Sequence, residues 1–222
     1  MAEEFDKDYW EKHWYDGGAS ASMAASPPNP HLVREVGDLV PGTALEAGCG
    51  AGAEAIWLAA HGWHVTGVDI SAEALAVAAQ RAATTDAAER LRWVEADLSA
   101  WEPGSRFDLV TTHYAHPAMP QLAFYDRLAS WVAPGGTLLI VGHLRDDDPA
   151  GGQGHGHGHG HGHGHGDVEP PAEASVTAAD NTAHLDTDTW EVVTADELAR
   201  TLTRPGGHRI SLRDVVVRAV RR

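Results

Sequence analysis

This chain is short of several things, and each shortage excludes something. One cysteine, Cys49, stands among 222 residues. An intramolecular disulfide is therefore impossible, and a reducing, cytoplasmic setting is expected. Only two lysines, Lys7 and Lys12, accompany fourteen arginines, against 32 acids, for a formal charge of −16. Binding a nucleic-acid backbone calls for clustered Lys and Arg, so DNA and RNA are not expected as partners. No apolar run approaches the length that crosses a bilayer, and the acidic start M-A-E-E-F-D has no apolar stretch behind it. Neither a membrane span nor a secretory signal is expected. The Arg and Ala bias suggests a GC-rich bacterial genome and carries no chemistry. The length suits one well-buried domain over residues 1–222, and a small-molecule substrate fits the charge best.

Glycine, by contrast, is concentrated where it matters. Residues 43–52 read T-A-L-E-A-G-C-G-A-G, an apolar approach followed by Gly48, Gly50 and Gly52 and then by the helix-forming A-E-A-I-W-L-A-A. This is the pattern of strand, tight turn and helix. Without a Cβ the backbone can turn sharply and a ligand can lie directly on it, while the next helix offers free N–H groups. The spacing G-x-G-x-x-A also fits a nicotinamide or flavin fingerprint. Between two loop glycines, Cys49 reads as a small packed residue rather than a nucleophile.

Along the chain, residues 3–16 form an amphipathic helix in pattern, with Phe5, Tyr9, Trp10 and His13 or Trp14 on one face. Residues 1–30 read as a lid helix followed by a Gly/Ala/Ser/Pro loop. A helix is expected over 31–40, stopped by Pro41 and Gly42. Strands are expected at 64–69, 91–97, 107–112 and 137–142, with helices at 72–83, capped by Ser71, and at 121–131. Residues 145–189 lose the pattern and read as a flexible insertion holding six His-Gly repeats. A helix over 195–202 follows, with Thr194 and Glu197 placed as a capping box. Residues 209–220 supply a last strand or a bent pair. The fold class is therefore α/β, a Rossmann-like doubly wound and mostly parallel sheet of six or seven strands with helices on both faces. In such sheets ligands bind at the carboxyl ends of the strands, where Gly48–Gly52, Asp69, Asp97, His113 and His143 fall.

The acids at these ends have work to do if the ligand is S-adenosylmethionine. Asp69 can take both ribose hydroxyls, Asp97 the adenine amino group with the Leu98 N–H nearby, and Glu46 the methionine ammonium, directly or through water. A nicotinamide enzyme would share Asp69 but has no general need of Glu46 or Asp97.

E-A-G-C-G-A-G, V-D-I-S, V-E-A-D-L, F-D-L-V and L-A-S-W-V-A-P-G-G-T-L-L-I, in this order and spacing, resemble the motif series of class I S-adenosylmethionine-dependent methyltransferases. The opening F-D-x-x-Y-W, the I-W-L-A-x-x-G-W-x-V-T-G-V-D run and Gly142-His143 resemble the small bacterial tellurite-resistance and thiopurine methyltransferases within that class. The resemblance spans about residues 6–141. It implies methyl transfer to a small acceptor such as a thiol or a chalcogen oxyanion. It also implies a cofactor site of Tyr9, Trp14, Glu46, Gly48, Gly50, Gly52, Asp69, Ile70, Asp97, Leu98 and His113. The chain departs from the narrower group in its His-Gly insertion and its short C-terminal part, where one clear strand is left to complete the sheet. A metal-binding or regulatory protein on the same fold, or an NAD(P)-dependent oxidoreductase, are the competing readings.

Thr112-His113-Tyr114-Ala115 stands where amino-group methylases carry an Asn/Asp-Pro-Pro-aromatic motif, which disfavours nucleic-acid and glutamine acceptors. His113 and His143 are the candidate catalytic groups, ahead of His116, because they lie closest to strand ends and imidazole transfers protons near neutral pH. Apart from these, His155, His157, His159, His161, His163 and His165 alternate with glycine, a donor set for nickel or zinc. Deleting residues 154–166 should abolish nickel retention on a chelate-free column. The affinity for S-adenosylhomocysteine, measured by calorimetry, should be unaltered.

Overall fold

The computed structural model describes Lys7, Trp10, Glu11, Trp14 and residues 26–144, 175–203 and 209–222. The elements, in chain order, are α1 (Pro30–Val36), β1 (Thr43–Ala47), α2 (Ala53–Ala60), β2 (His64–Asp69), α3 (Ala72–Ala82), β3 (Leu91–Glu95), β4 (Phe107–His113), α4 (Gln121–Ser130), β5 (Val132–His143), α5 (Ala178–Ala183), β6 (Trp190–Thr203) and β7 (Arg209–Arg221). The seven strands form one sheet in the order β3-β2-β1-β4-β5-β7-β6. The first five are parallel, and β7 runs antiparallel to both β5 and β6. Strand β1 thus lies between β2 and β4, where the order reverses and a crevice opens at the carboxyl ends.

Both faces of the sheet are covered, and the strand sequences show how. Successive side chains of a strand point to opposite faces. Leu45, Val110, Leu138, Ile140, Val215 and Val217 accordingly join Phe124 and Leu128 of α4 in one cluster. Ala44, Leu109, Leu139, Val141 and Val216 join Leu32 and Val36 of α1 and Ala55 and Leu58 of α2 in the other. Central strands buried on both faces read as continuous apolar runs, which is why L-L-I-V and V-V-V carry no alternation.

Helix starts follow local chemistry. Asn29 caps α1 by accepting from His31 N, with Pro30 in the first turn. Ser71 caps α3 by accepting from Ala74 N. The helix expected over 31–40 ends earlier, at Val36, where the Gly37 N–H closes on Val33 O. Strand β5 begins at Val132 rather than 137, because residues 133–136 loop out as a bulge between the Phe107/Val132 and Leu109/Thr137 pairs.

Two expectations for the C-terminal third are corrected. Residues 195–202 form no helix; they are the second half of β6, paired with β7 from Trp190/Arg221 to Thr203/Arg209. The would-be capping box is spent elsewhere: Thr194 Oγ1 donates to Glu35 Oε2, and Glu197 Oε1 accepts from Ala178 N at the start of α5. Helix propensity is overridden because β7 is central and needs a partner for its second row of backbone groups. The sheet therefore ends in a full antiparallel hairpin, not in one strand. Of the insertion expected over 145–189, residues 145–174 lie outside the described set, and the remainder is ordered. Val176, Ala178 and Leu185 of that remainder are buried in the core, as is Trp190 at the start of β6.

Phe124 is fully buried and Val40 is 88% exposed. In urea denaturation, Phe124→Ala should lose about 3–5 kcal/mol of stability, the usual price of a truncated core phenylalanine. Val40→Ala should move it by no more than about 0.5 kcal/mol.

Candidate active site

The turn after β1 is held open by backbone geometry that favours glycine. Gly48, Gly50 and Gly52 have φ of 74°, 48° and 75°, in the left-handed region. The N–H groups of Gly48 and Cys49 both donate to Val68 O (2.8 and 3.0 Å), which ties the turn to β2. Trp93 packs beneath it: a Cβ on Gly52 would come within 2.7 Å of that ring, and one on Gly67 within 2.6 Å. Cys49 is buried, and burial, with Asp69 nearby, pushes its thiol well above the ordinary range. It is therefore a packing residue and no nucleophile.

Around this turn lies a cavity of about 430 Å³, large enough for a nucleoside and a small acceptor together. Its wall follows the order of the strands. Beyond β3 sit Asp97 and Leu98, and at the end of β2 Asp69 and Ile70. Past the glycines, at the end of β4, come His113, Tyr114 and His116, and from β6 comes Arg200. Acids line one side, and imidazoles and a guanidinium the other.

Asp69 is nearly buried. Its carboxylate accepts from Gly50 N (2.8 Å) and Ser71 N (3.0 Å), so it fixes the turn and the start of α3 together. Burial raises its pKa, and those backbone donors oppose the rise. Asp97 is exposed and accepts from Ser99 N (2.8 Å). Over the acidic side lie residues of the N-terminal segment. Trp10 and Trp14 line the cavity, with Trp14 close over Gly50. Glu11 accepts from Ala72 N (2.9 Å) and from Ser71 Oγ (3.3 Å), capping α3 from outside, and Lys7 pairs with Glu95.

The other side is built on two buried carboxylates. Glu46, 1% exposed, accepts through Oε1 from His113 Nδ1 (2.9 Å). Burial pulls the His113 ring down, but the Glu46 carboxylate more than offsets this and leaves its pKa raised. Burial likewise raises Glu46. Both directions say that the pair holds a proton firmly. Glu46 Oε2 and His113 Nε2 are buried with no partner among the described residues. A buried polar atom left unpaired costs about 1–3 kcal/mol, so these two atoms mark where a ligand group is wanted. The second carboxylate, Asp214, has no exposure and accepts from His31 Nε2 (3.0 Å), from Tyr114 OH (3.0 Å) and from Arg200 Nε. Tyr114 alone among described non-glycine residues has a positive φ, 57°. Its hydroxyl also accepts from Asn29 Nδ2 (3.1 Å) and Arg200 Nη2 (2.9 Å), and burial beside Asp214 pushes its pKa up to about 12.

Trp14, Gly48, Gly50, Asp69, Ile70, Asp97, Leu98 and His113 are thus brought to one cavity. Glu46 is set behind His113. Among the wall residues His143 is missing: it stacks on Tyr114 (centroids 4.2 Å apart), and burial lowers its pKa to about 4. Tyr9 and the six histidines of the His-Gly tract lie outside the described residues. Among the described residues no group of three or more metal-ligating side chains occurs. Sequence reasoning missed Arg200, Asp214, Asn29 and Trp93. Arg200 was hidden by the helical reading of its strand. The one available signal for Asp214 was an acid heading the apolar run V-V-V.

Residues 44–136 match a family model described as a methyltransferase domain. The chain is 32% identical over 134 residues to a probable thiol methyltransferase 2 of Arabidopsis thaliana, covering 59% of each protein. It is 31% identical over 143 residues to thiocyanate methyltransferase 1 of Brassica oleracea, covering 63% of each. The matches therefore span about three fifths of these relatives. In fold, it is similar over its whole length to magnesium protoporphyrin IX methyltransferase of Synechocystis PCC 6803, solved with bound S-adenosylmethionine (TM-score 0.62, 17% identity, all of both chains covered).

If Asp69 holds both the glycine turn and a ligand's ribose, Asp69→Ala should weaken S-adenosylhomocysteine binding by about 1.5–3 kcal/mol in calorimetry. Unchanged affinity in the folded variant would remove Asp69 from the site.

Proposed function

We propose that this chain, whose fold and matched domain are those of the class I S-adenosylmethionine-dependent methyltransferases, moves a methyl group from that cofactor to the sulfur of a small thiol. The observation that carries the reading is the buried Glu46–His113 pair, whose unpartnered Nε2 belongs to a ring on the cavity wall next to the glycine turn. The names of the thiol and thiocyanate methyltransferases among its relatives support a sulfur acceptor. Residues 1–222 act as one domain on this reading, with the N-terminal segment as a lid. Nickel or zinc at the His-Gly tract takes no part in the chemistry.

The residues present fit the cofactor. Glycines with left-handed φ leave the backbone bare, Asp69 and Asp97 stand where ribose and adenine call for acceptors, and Glu46 Oε2 is an unused acceptor for an ammonium. When bound, the cofactor supplies an electrophilic methyl group on a sulfonium sulfur. The chain aligns the acceptor, removes its proton and keeps water out. Glu46 accepts a hydrogen bond from His113 Nδ1–H and so keeps the proton on Nδ1, which leaves Nε2 with a lone pair toward the cavity, the tautomer a base needs. The thiol S–H bond breaks, its proton passes to Nε2, and the electron pair stays on sulfur. A His pKa raised toward that of a thiol suits this transfer, because matched values favour it. Trp10 and Trp14 cover the acidic side, where their ring faces attract a sulfonium.

The neutral ring is the base, so kcat/KM for a thiol should rise as pH climbs through the raised His113 value, above 6.5. Glu46→Gln removes the charge that raises it and should shift this limb to lower pH. His113→Gln should cut thiol turnover by about 10²–10⁴-fold, the usual worth of a general base. Thiocyanate is already an anion and should lose far less. Equal losses for the two acceptors would show that His113 is not a base.

A further inference from the structure

Among the described residues lining the cavity, Arg200 is the only lysine or arginine; the carboxylates there are Asp69 and Asp97 on the far side and Glu54, which accepts from Asn29 N (3.0 Å). Its guanidinium is fixed on two sides. Nε donates to the fully buried Asp214, and Nη2 donates to Tyr114 OH. The third nitrogen, Nη1, has no partner among the described residues. Asp214 is itself held by His31 and Tyr114, and Tyr114 by Asn29, so the guanidinium is braced from α1, β7, the turn after β4 and the loop before α1. Replacing a buried ion pair by apolar residues is often neutral or stabilising, so this arrangement is not explained by stability alone. What it achieves is a positioned donor fork on the wall. His113 and Tyr114 are consecutive, Nη2 sits on the Tyr114 hydroxyl, and both the proposed base and the guanidinium line the same cavity.

A protein of formal charge −16 repels anions, and an anion that enters this cavity needs a fixed cation inside it. A guanidinium with an open nitrogen suits a carboxylate or similar oxyanion by a charge-assisted hydrogen bond. Resting on the thiol reading above, we infer that the acceptor is a small thiol bearing a second, anionic group, which Arg200 holds while the sulfur faces His113. Arg200 is then the residue that sets acceptor specificity, and Asp214 and Tyr114 position it.

Two three-carbon thiols, 3-mercaptopropionate and 1-propanethiol, differ in the anionic group and test this directly. The wild type should favour the acid by about tenfold or more in kcat/KM, chiefly through KM, as a charge-assisted contact implies. In Arg200→Gln the ratio of the two should fall to within about twofold, and Arg200→Lys should keep part of the preference. Calorimetric binding of the methylated product, 3-(methylthio)propionate, should weaken in Arg200→Gln, a readout that needs no turnover. If Arg200→Gln fails to fold, the wild-type ratio and Arg200→Lys still decide. Equal kcat/KM for both thiols in the wild type, or a preference unaltered in Arg200→Gln, overturns this inference and leaves the thiol reading standing. Turnover of neither thiol overturns both.

Discussion

The cavity depends on a stretch of backbone that cannot tolerate side chains. At the end of the central strand β1, three residues turn through left-handed φ within five positions. A Cβ at Gly48 would lie 2.4 Å from that of Ala115, and at Gly52 the Trp93 ring leaves no room. Because the turn is bare, it can be gripped by its neighbours. Val68 O takes two of its N–H groups and Asp69 a third, so the ends of β1 and β2 are locked to one another before any ligand arrives. Such preorganisation lowers what binding must spend on ordering.

From that centre the chemistry is graded by strand order. Strands about 4.8 Å apart set out the side chains as a series: acids after β3 and β2, bare backbone after β1, imidazole after β4, and the braced guanidinium from the hairpin. On the proposed reading, nucleotide recognition and acceptor chemistry are separated across the sheet edge, and the methyl group passes at the boundary. The two buried carboxylates divide the acceptor side between them. Glu46 is hydrogen-bonded to His113 and Asp214 to Arg200, so in the proposed mechanism the first fixes a tautomer and the second a direction.

Much of this was legible from local pattern. Strand-glycine-helix around Gly48–Gly52, the acids closing β2 and following β3, and the capping Ser71 each depend on residues near in sequence, and each was read in place. What was not legible depends on distant partners. Residues 195–202 have the composition and capping box of a helix, yet they lie in β6 because β7 needs an edge partner. Arg200 went unseen with them. His143 sits at a strand end, as His113 does, but Tyr114 in its unusual backbone conformation lies across it; no neighbouring residue announces that. The Glu46–His113 bond joins residues 67 apart in the chain, and spacing alone cannot reveal it.

The acceptor wall is gathered from both ends of the described chain: Asn29 and His31 before β1, Tyr114 after β4, Arg200 and Asp214 in the terminal hairpin. The glycine turn and the acids of the opposite side come from the continuous run from β1 to just past β3, with Trp10 and Trp14 over them. Contacts near in sequence close with less loss of chain entropy than distant ones. The two halves of the cavity therefore differ in the chain entropy that closing them costs. On the proposed reading, a substitution in the hairpin can change which acceptors fit while the residues facing the methyl donor stay as they are.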